Sequence, residues 1–173
     1  AMKRMVDDFR DYARVPPARL VPLDLNALIE EVLALYRTAG APITLALASG
    51  LPRIEGDATQ LRQVIHNLIG NAQEALAGQT NSRITVRTAL AEIAESSGVV
   101  RGVRFAVEDN GPGFAANILR RAFEPYVTTK PSGTGLGLAM VKKVVDEHGA
   151  HIEAVNRSGG PGVGHAAGAV VTI

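Results

Sequence analysis

Apolar positions along this chain recur at two periods: steps of three and four, which mark helices, and steps of two, which mark strands. Residues 2–13 place Met2, Met5, Phe9 and Tyr12 at steps of three, four and three, with Arg and Asp between them. That seam reads either as the last turns of a longer helix packed on another helix or as an amphipathic helix lying on its own domain. Arg14-Val15-Pro16-Pro17 ends it, because paired prolines cannot continue a helix, and 20–23 runs on as a short extended linker. Asp24 is the expected N-cap of a helix over 25–38, whose stripe is Leu28, Ile29, Val32, Leu35 and Tyr36. Gly40-Ala41-Pro42 stops that helix, 43–48 alternates as a strand, and Ile54 marks a short second one.

Asp57 caps the next helix, which runs to about residue 77 with Leu61, Val64, Ile65, Leu68, Ala72 and Ala75 or Leu76 as its buried stripe. Gln60, Gln63, Asn67, Asn71 and Glu74 follow one flank of that stripe, so Asn67 and Asn71 sit one turn apart at the edge of the core. Asn is a poor helix former, and two on one edge cost stability unless they serve a purpose. A carboxamide oxygen there either binds a hard cation that also touches phosphates or hydrogen-bonds to neighbouring loops. His66 falls off this edge and is given no metal role.

Residues 83–93 and 99–108 alternate, and Glu95-Ser96-Ser97-Gly98 between them suits a hairpin turn. Counting by twos, Arg101, Val103, Phe105, Val107 and Asp109 share one face, so a carboxylate continues a mostly apolar, core-facing row. Burying it unpaired would cost several kcal/mol. The stretch Asp109-Asn110-Gly111-Pro112-Gly113 is therefore either the floor of a ligand pocket or a strand-ending turn, for which its residues are also well suited.

Residues 116–122 suggest a short helix, and 114–133 lacks periodicity and carries prolines, the composition of a mobile lid. A last helix spans 136–148, with Met140, Val141, Val144 and Val145 buried and Gly149 after its end. It begins inside Gly133-Thr134-Gly135-Leu136-Gly137, where free backbone N–H groups make an anion site, although flexible packing explains such a loop equally well. Strands over 151–156 and 168–173 close the chain, and His148, His151 and His165 have no recognisable ligand spacing.

Composition narrows the classes. With 173 residues, 46% of them hydrophobic, the chain builds one ordinary core plus a short appendage. A net charge of +1 without a long basic run gives no sign of nucleic acid or an anionic membrane as partner. Cysteine is absent, so disulfides and thiolate metal sites are excluded. No apolar run approaches the roughly 20 residues that span a bilayer.

Four features now stand in order: an Asn pair on a helix, Asp-x-Gly-x-Gly after a strand, Phe123-Glu124-Pro125-Tyr126, and Gly-Thr-Gly-Leu-Gly-Leu opening a helix. Together they resemble the N, G1, F and G2 boxes of the ATP-binding catalytic domain of sensor histidine kinases, in the superfamily shared with gyrase, Hsp90 and MutL. Residues 2–14 are similar to the end of the second dimerisation helix in the NtrY-like nitrogen-regulation group. The resemblance implies a division into 1–15, the end of a dimerisation helix, 16–23, a linker, and 24–173, the catalytic domain. It implies a two-layer α/β (α+β) sandwich of the Bergerat type, a mixed, mainly antiparallel sheet of about five strands with three helices on one face.

For function the resemblance implies ATP as cofactor with Mg²⁺, the γ-phosphate passing to a His on a dimerisation domain and then to a response regulator. Asp109 would accept the adenine 6-amino hydrogen, and Gly111 and Gly113 would shape the turn beside it. Asn71 would hold Mg²⁺ with Asn67 alongside. Gly133, Thr134, Gly135, Leu136 and Gly137 would cradle the phosphates, Thr128, Thr129 and Lys130 would reach the terminal one, and Phe123 and Tyr126 would anchor the lid. Gyrase-like members carry a Glu where this chain has Asn67, and an amide is no general base, so ATP should be bound without fast hydrolysis. The family's phosphoacceptor His precedes an acidic residue, whereas His66, His148, His151 and His165 precede Asn, Gly, Ile and Ala. The expected protein is a homodimer in full length, this part being a cytoplasmic domain of a membrane-anchored bacterial sensor. An anti-sigma-factor type of serine kinase and a nucleotide-sensing scaffold are the competing readings.

Overall fold

The structure, a computed structural model, describes residues 2–38, 40–128, 135–157 and 166–173, the last two stretches for the backbone alone at 157 and 166–171. Helix α1 (Met2–Ala13) leads into β1 (Val21–Leu23), α2 (Leu25–Leu33), a 3₁₀ turn (Ala34–Tyr36), β2 (Ile43–Ala46) and β3 (Ile54–Gly56). Helix α3 (Ala58–Ala75), β4 (Ile84–Glu95), β5 (Gly98–Asp109), α4 (Ala116–Leu119), α5 (Gly137–Glu147), β6 (His151–Arg157) and β7 (Ala166–Thr172) follow. The main sheet has the order β2-β4-β5-β7-β6, parallel only between β2 and β4. Leu28, Ile29 and Val32 of α2, Val64, Ile65 and Leu68 of α3 and Val141 and Val144 of α5 bury against Val86, Val103, Phe105 and Val107 of the sheet. The expected layering of a five-stranded, mostly antiparallel sheet against three helices is borne out.

Several boundaries differ for identifiable reasons. The α-helix of α2 ends at Leu33 and tightens into the 3₁₀ turn. The smaller number of residues per turn carries Leu35 outward, to 72% exposure, and brings the Tyr36 hydroxyl to 2.7 Å from His66 Nδ1. Burial raises the Tyr36 pKa above its ordinary value. Strand β2 stops at Ala46 instead of residue 48, because Ala48 N–H donates to Thr88 Oγ1 and Ala48 C=O accepts from Asn26 Nδ2. The stretch read as an extended linker becomes β1, paired antiparallel with β3 in a separate two-stranded sheet. Gln60 is buried and not on the polar flank of α3; its amide donates to Pro16 C=O at 2.7 Å, while Ile69 joins the buried stripe. The helix expected over 116–122 keeps only Ala116–Leu119.

Two caps were legible. Asp24 accepts the N–H of Ala27 and starts α2. Asp57 starts α3 and does more, accepting N–H groups from Gln60 and Arg19 at 3.1 and 2.9 Å. Burial pushes its carboxyl up, but the backbone N–H groups of Arg19, Gln60 and Thr59 outweigh that and hold it below the usual carboxylate range. His148, the C-cap of α5, places Nδ1 2.8 Å from Val144 C=O and Nε2 3.0 Å from the Asp57 N–H. The carbonyl can only accept and the amide can only donate, so the proton is assigned to Nδ1. This bond ties the end of α5 to the start of α3.

Candidate nucleotide site

Helix α3 is the long wall of the site. Asn67, Asn71 and Ala75 follow one another a turn apart along it, over about 12 Å. The turn after β5 meets one end of this line, and the start of α5 meets the other.

At the first end Asp109 closes the core-facing row of β5, only 9% exposed, beyond buried Val103, Phe105 and Val107. The Gly111 N–H donates to Asp109 Oδ1 at 2.8 Å. A Cβ on Gly111 would meet that same oxygen at 2.7 Å and Ala75 C=O at 3.3 Å, so the close approach of turn, carboxylate and helix requires glycine. Asn110 fastens the turn to β4, accepting the Arg83 N–H and donating to Asn81 C=O, each at 2.7 Å. On the far side Asn156 of β6 accepts the Phe114 N–H at 2.9 Å and donates to the Phe114 C=O at 2.7 Å.

At the other end, a Cβ on Gly137 would lie 3.7 Å from Asn67 Oδ1 and 3.9 Å from Asn71 Oδ1, so both carboxamides face the first residue of α5. Asn67 Nδ2 donates to Gln63 C=O at 3.1 Å, and the Asn71 carboxamide has no hydrogen-bond partner among the described residues. The N-cap of α5 is Leu136, and among the described residues no side chain caps the helix or accepts from its first N–H groups. Leu136 is fully buried, and Gly135, at φ +72°, lies against the backbone of Tyr126, where a Cβ would collide. Its C=O accepts the Tyr126 N–H at 2.9 Å.

The lid anchor differs from expectation. Phe123 packs against the core, but the Tyr126 ring is 55% exposed, and that residue is held through its backbone, at φ +65°. Thr128 is exposed. Thr129, Lys130, Gly133 and Thr134 lie outside the described residues, as does His165.

The residues present fit a hard cation that shares its coordination. Two carboxamide oxygens converge at the start of α5, and no group of three or more His, Asp or Glu capable of holding a metal alone occurs among the described residues. A surface hollow of about 840 Å³, lined by Leu33, Tyr36, Arg37 and Ile43 among others, lies elsewhere and shares no residue with this line.

Residues 56–173 match the family of histidine kinase-, DNA gyrase B- and HSP90-like ATPases. The chain belongs to this family. It is 33% identical over 158 residues to the sensory histidine kinase/phosphatase NtrB of Rhizobium leguminosarum bv. phaseoli, covering 86% of this chain and 41% of that one. Against a putative NtrY-like sensor histidine kinase of Rickettsia bellii it is 31% identical over 164 residues, with 94% and 26% covered. Among solved structures, full-length ShkA in complex with AMPPNP aligns at a TM-score of 0.74 and 29% identity, over 98% of this chain and 35% of that one. Histidine kinase ThkA in complex with response regulator protein TrrA aligns at 0.73 and 26%, over 99% and 47%. The chain spans less than half the length of these relatives. The fold and family expected from the four boxes are borne out, and the domain is of the histidine-kinase catalytic kind.

Asn156 is the site residue that the sequence reading missed. The signal was present: Ile152, Ala154 and Asn156 alternate toward the core, and a polar residue ends that row just as Asp109 ends its own.

Proposed function

We propose that this chain binds ATP along α3 and donates its γ-phosphate to a histidine on a dimerisation domain, for relay to a response regulator. The observation that carries the reading is the ordered line from Asp109 and Gly111, past Ala75, Asn71 and Asn67, to Gly137. A nearly buried acceptor at one end suits the adenine 6-amino group, and amide oxygens beside an uncapped helix start suit a phosphate chain. Asn71, with Asn67 beside it, would hold Mg²⁺, which when bound neutralises phosphate charge. Gly111 and Gly113 shape the turn over the base, the backbone of Gly133 to Gly137 receives phosphate oxygens, and Thr128, Thr129 and Lys130 reach the last of them. With Asn67 in place of a carboxylate base, the γ-phosphate is kept for the acceptor.

The AMPPNP bound by ShkA and the regulator bound by ThkA support ATP and a response regulator as partners. Residues 1–15 then belong to the dimerisation helix of a homodimer, and 16–23 link it to the catalytic domain of 24–173, with the end of the link, Val21–Leu23, already paired to β3 of that domain. The exposure of Met2 (83%) and Phe9 (50%) on α1 supports a helix partner. No helix among the described residues is long and apolar enough to cross a membrane. We place this domain in the cytoplasm, in a sensor anchored to the membrane elsewhere.

Calorimetric titration with ADP, first with Mg²⁺ and then with EDTA, tests the reading, with GDP as control. Saturable binding that prefers ADP and strengthens with Mg²⁺ is expected; equal affinity for GDP would contradict the base assignment.

A further inference from the structure

Asn156 and Asp109 belong to one row of the sheet. Both pair with Ala167 of β7, Asp109 from the β5 side and Asn156 from the β6 side. Directly opposed residues present their side chains to the same face, so carboxylate and carboxamide point to the same side, two strands apart, about 10 Å. The row before it pairs Val107 and Ala154 through Ala169, and the one before that pairs Phe105 and Ile152 through Val171. Two rows of apolar residues are thus followed by one that carries Asp109 and Asn156, at the mouth of the site.

The chain leaving β5 turns at Gly111 and Gly113, and the Asn156 amide catches it at Phe114 with one donor and one acceptor. An amide side chain in this geometry imitates the N–H and C=O of a neighbouring strand. The site of capture is tight: Gly113 has φ +79°, and a Cβ there would meet Asn156 Oδ1 at 2.8 Å. Residues 110–114 are consequently pinned at three points, to Asp109, through Asn110 to Arg83 just before β4, and to the edge strand through Asn156.

We propose that Asn156 is a positioning residue for nucleotide binding: by holding Phe114 it fixes the turn whose Gly111 N–H orients the Asp109 carboxylate toward the base. This rests on the function proposed above. The clamp preorganises a loop that would otherwise be ordered at the expense of affinity. Because Asn156 is exposed, its bonds compete with water and the effect is moderate.

The test titrates ADP into the wild-type chain, Asn156→Ala and Asn156→Asp, each with Mg²⁺ and with EDTA, and follows Phe114 amide hydrogen exchange. Asn156→Ala should weaken ADP by roughly 3- to 10-fold, by the same factor in both media, with faster Phe114 exchange and an almost unchanged melting temperature. Asn156→Asp keeps the acceptor for the Phe114 N–H and loses the donor to its C=O, so its affinity should fall between. Wild-type affinity in Asn156→Ala despite faster Phe114 exchange would overturn the proposal, and so would a loss confined to Mg²⁺. A wild-type chain that does not bind ADP would overturn the proposed function itself, before any substitution is compared.

Discussion

The two ends of the site are built differently. The turn after β5 is held by six hydrogen bonds: the Gly111 N–H to Asp109, two between Asn110 and Arg83, one from Asn110 to Asn81, and two between Asn156 and the polar groups of Phe114. Among the described residues, the start of α5 has no side-chain cap and the Asn71 carboxamide beside it has no hydrogen-bond partner. One end has its geometry before a ligand arrives, and the other leaves polar groups for the ligand to satisfy. A rigid planar base suits the first arrangement, and a flexible, charged chain with a cation suits the second. Preorganisation lowers the entropic cost of binding where shape must be read, while unpaired donors and acceptors put their full hydrogen-bonding capacity at the disposal of phosphates.

Substitutions at the two ends should therefore behave in opposite ways. Asp109→Asn removes a charge-assisted hydrogen bond of about 1.5–3 kcal/mol, so ADP affinity should fall roughly 10- to 100-fold, alike with Mg²⁺ and with EDTA. Asn71→Ala should weaken ADP about 10-fold in Mg²⁺ and little in EDTA, since it removes a ligand of the cation and no contact to the base. If calorimetry shows the same Mg²⁺ dependence for both variants, the division into two ends fails. Gly111→Ala sharpens the first end: a Cβ 2.7 Å from Asp109 Oδ1 must displace the carboxylate, and we expect ADP to weaken by about 10-fold with the fold retained by circular dichroism.

Smaller effects are expected where α5 meets α3, behind the site. His148→Phe leaves the Asp57 N–H without its acceptor, which should cost about 1–3 kcal/mol in denaturant unfolding. The Asp57 carboxyl is depressed in the fold, so its contribution is fully present above the ordinary carboxylate pKa and is lost as pH falls through the folded value. Asp57→Asn keeps the cap but should flatten that acid loss, measured as melting temperature between about pH 5 and pH 3.

Much of this was legible in the sequence because it is local. Period, caps and breakers gave the helices, and the alternation ending at Asp109 gave the buried carboxylate. What escaped was non-local. Ala48 leaves β2 because Asn26 and Thr88, 22 and 40 residues away along the chain, take its backbone groups. Gln60 is buried because Pro16 accepts from it across 44 residues, and Asn156 is a site residue because β6 lies two strands from β5. The Tyr126 ring, expected to anchor the lid, is exposed because Gly135 holds that residue through its backbone, a contact that no aromatic pattern announces.

The most direct test of the central claim compares ADP with inosine diphosphate, which carries a 6-oxo acceptor where adenine carries an amino donor, on the wild-type chain and on Asp109→Asn. If Asp109 reads the base, the wild-type chain should prefer ADP by about 10-fold or more, and Asp109→Asn should lose most of that preference. Equal affinities for the two nucleotides on the wild-type chain, or a preference that survives Asp109→Asn unchanged, would contradict the account.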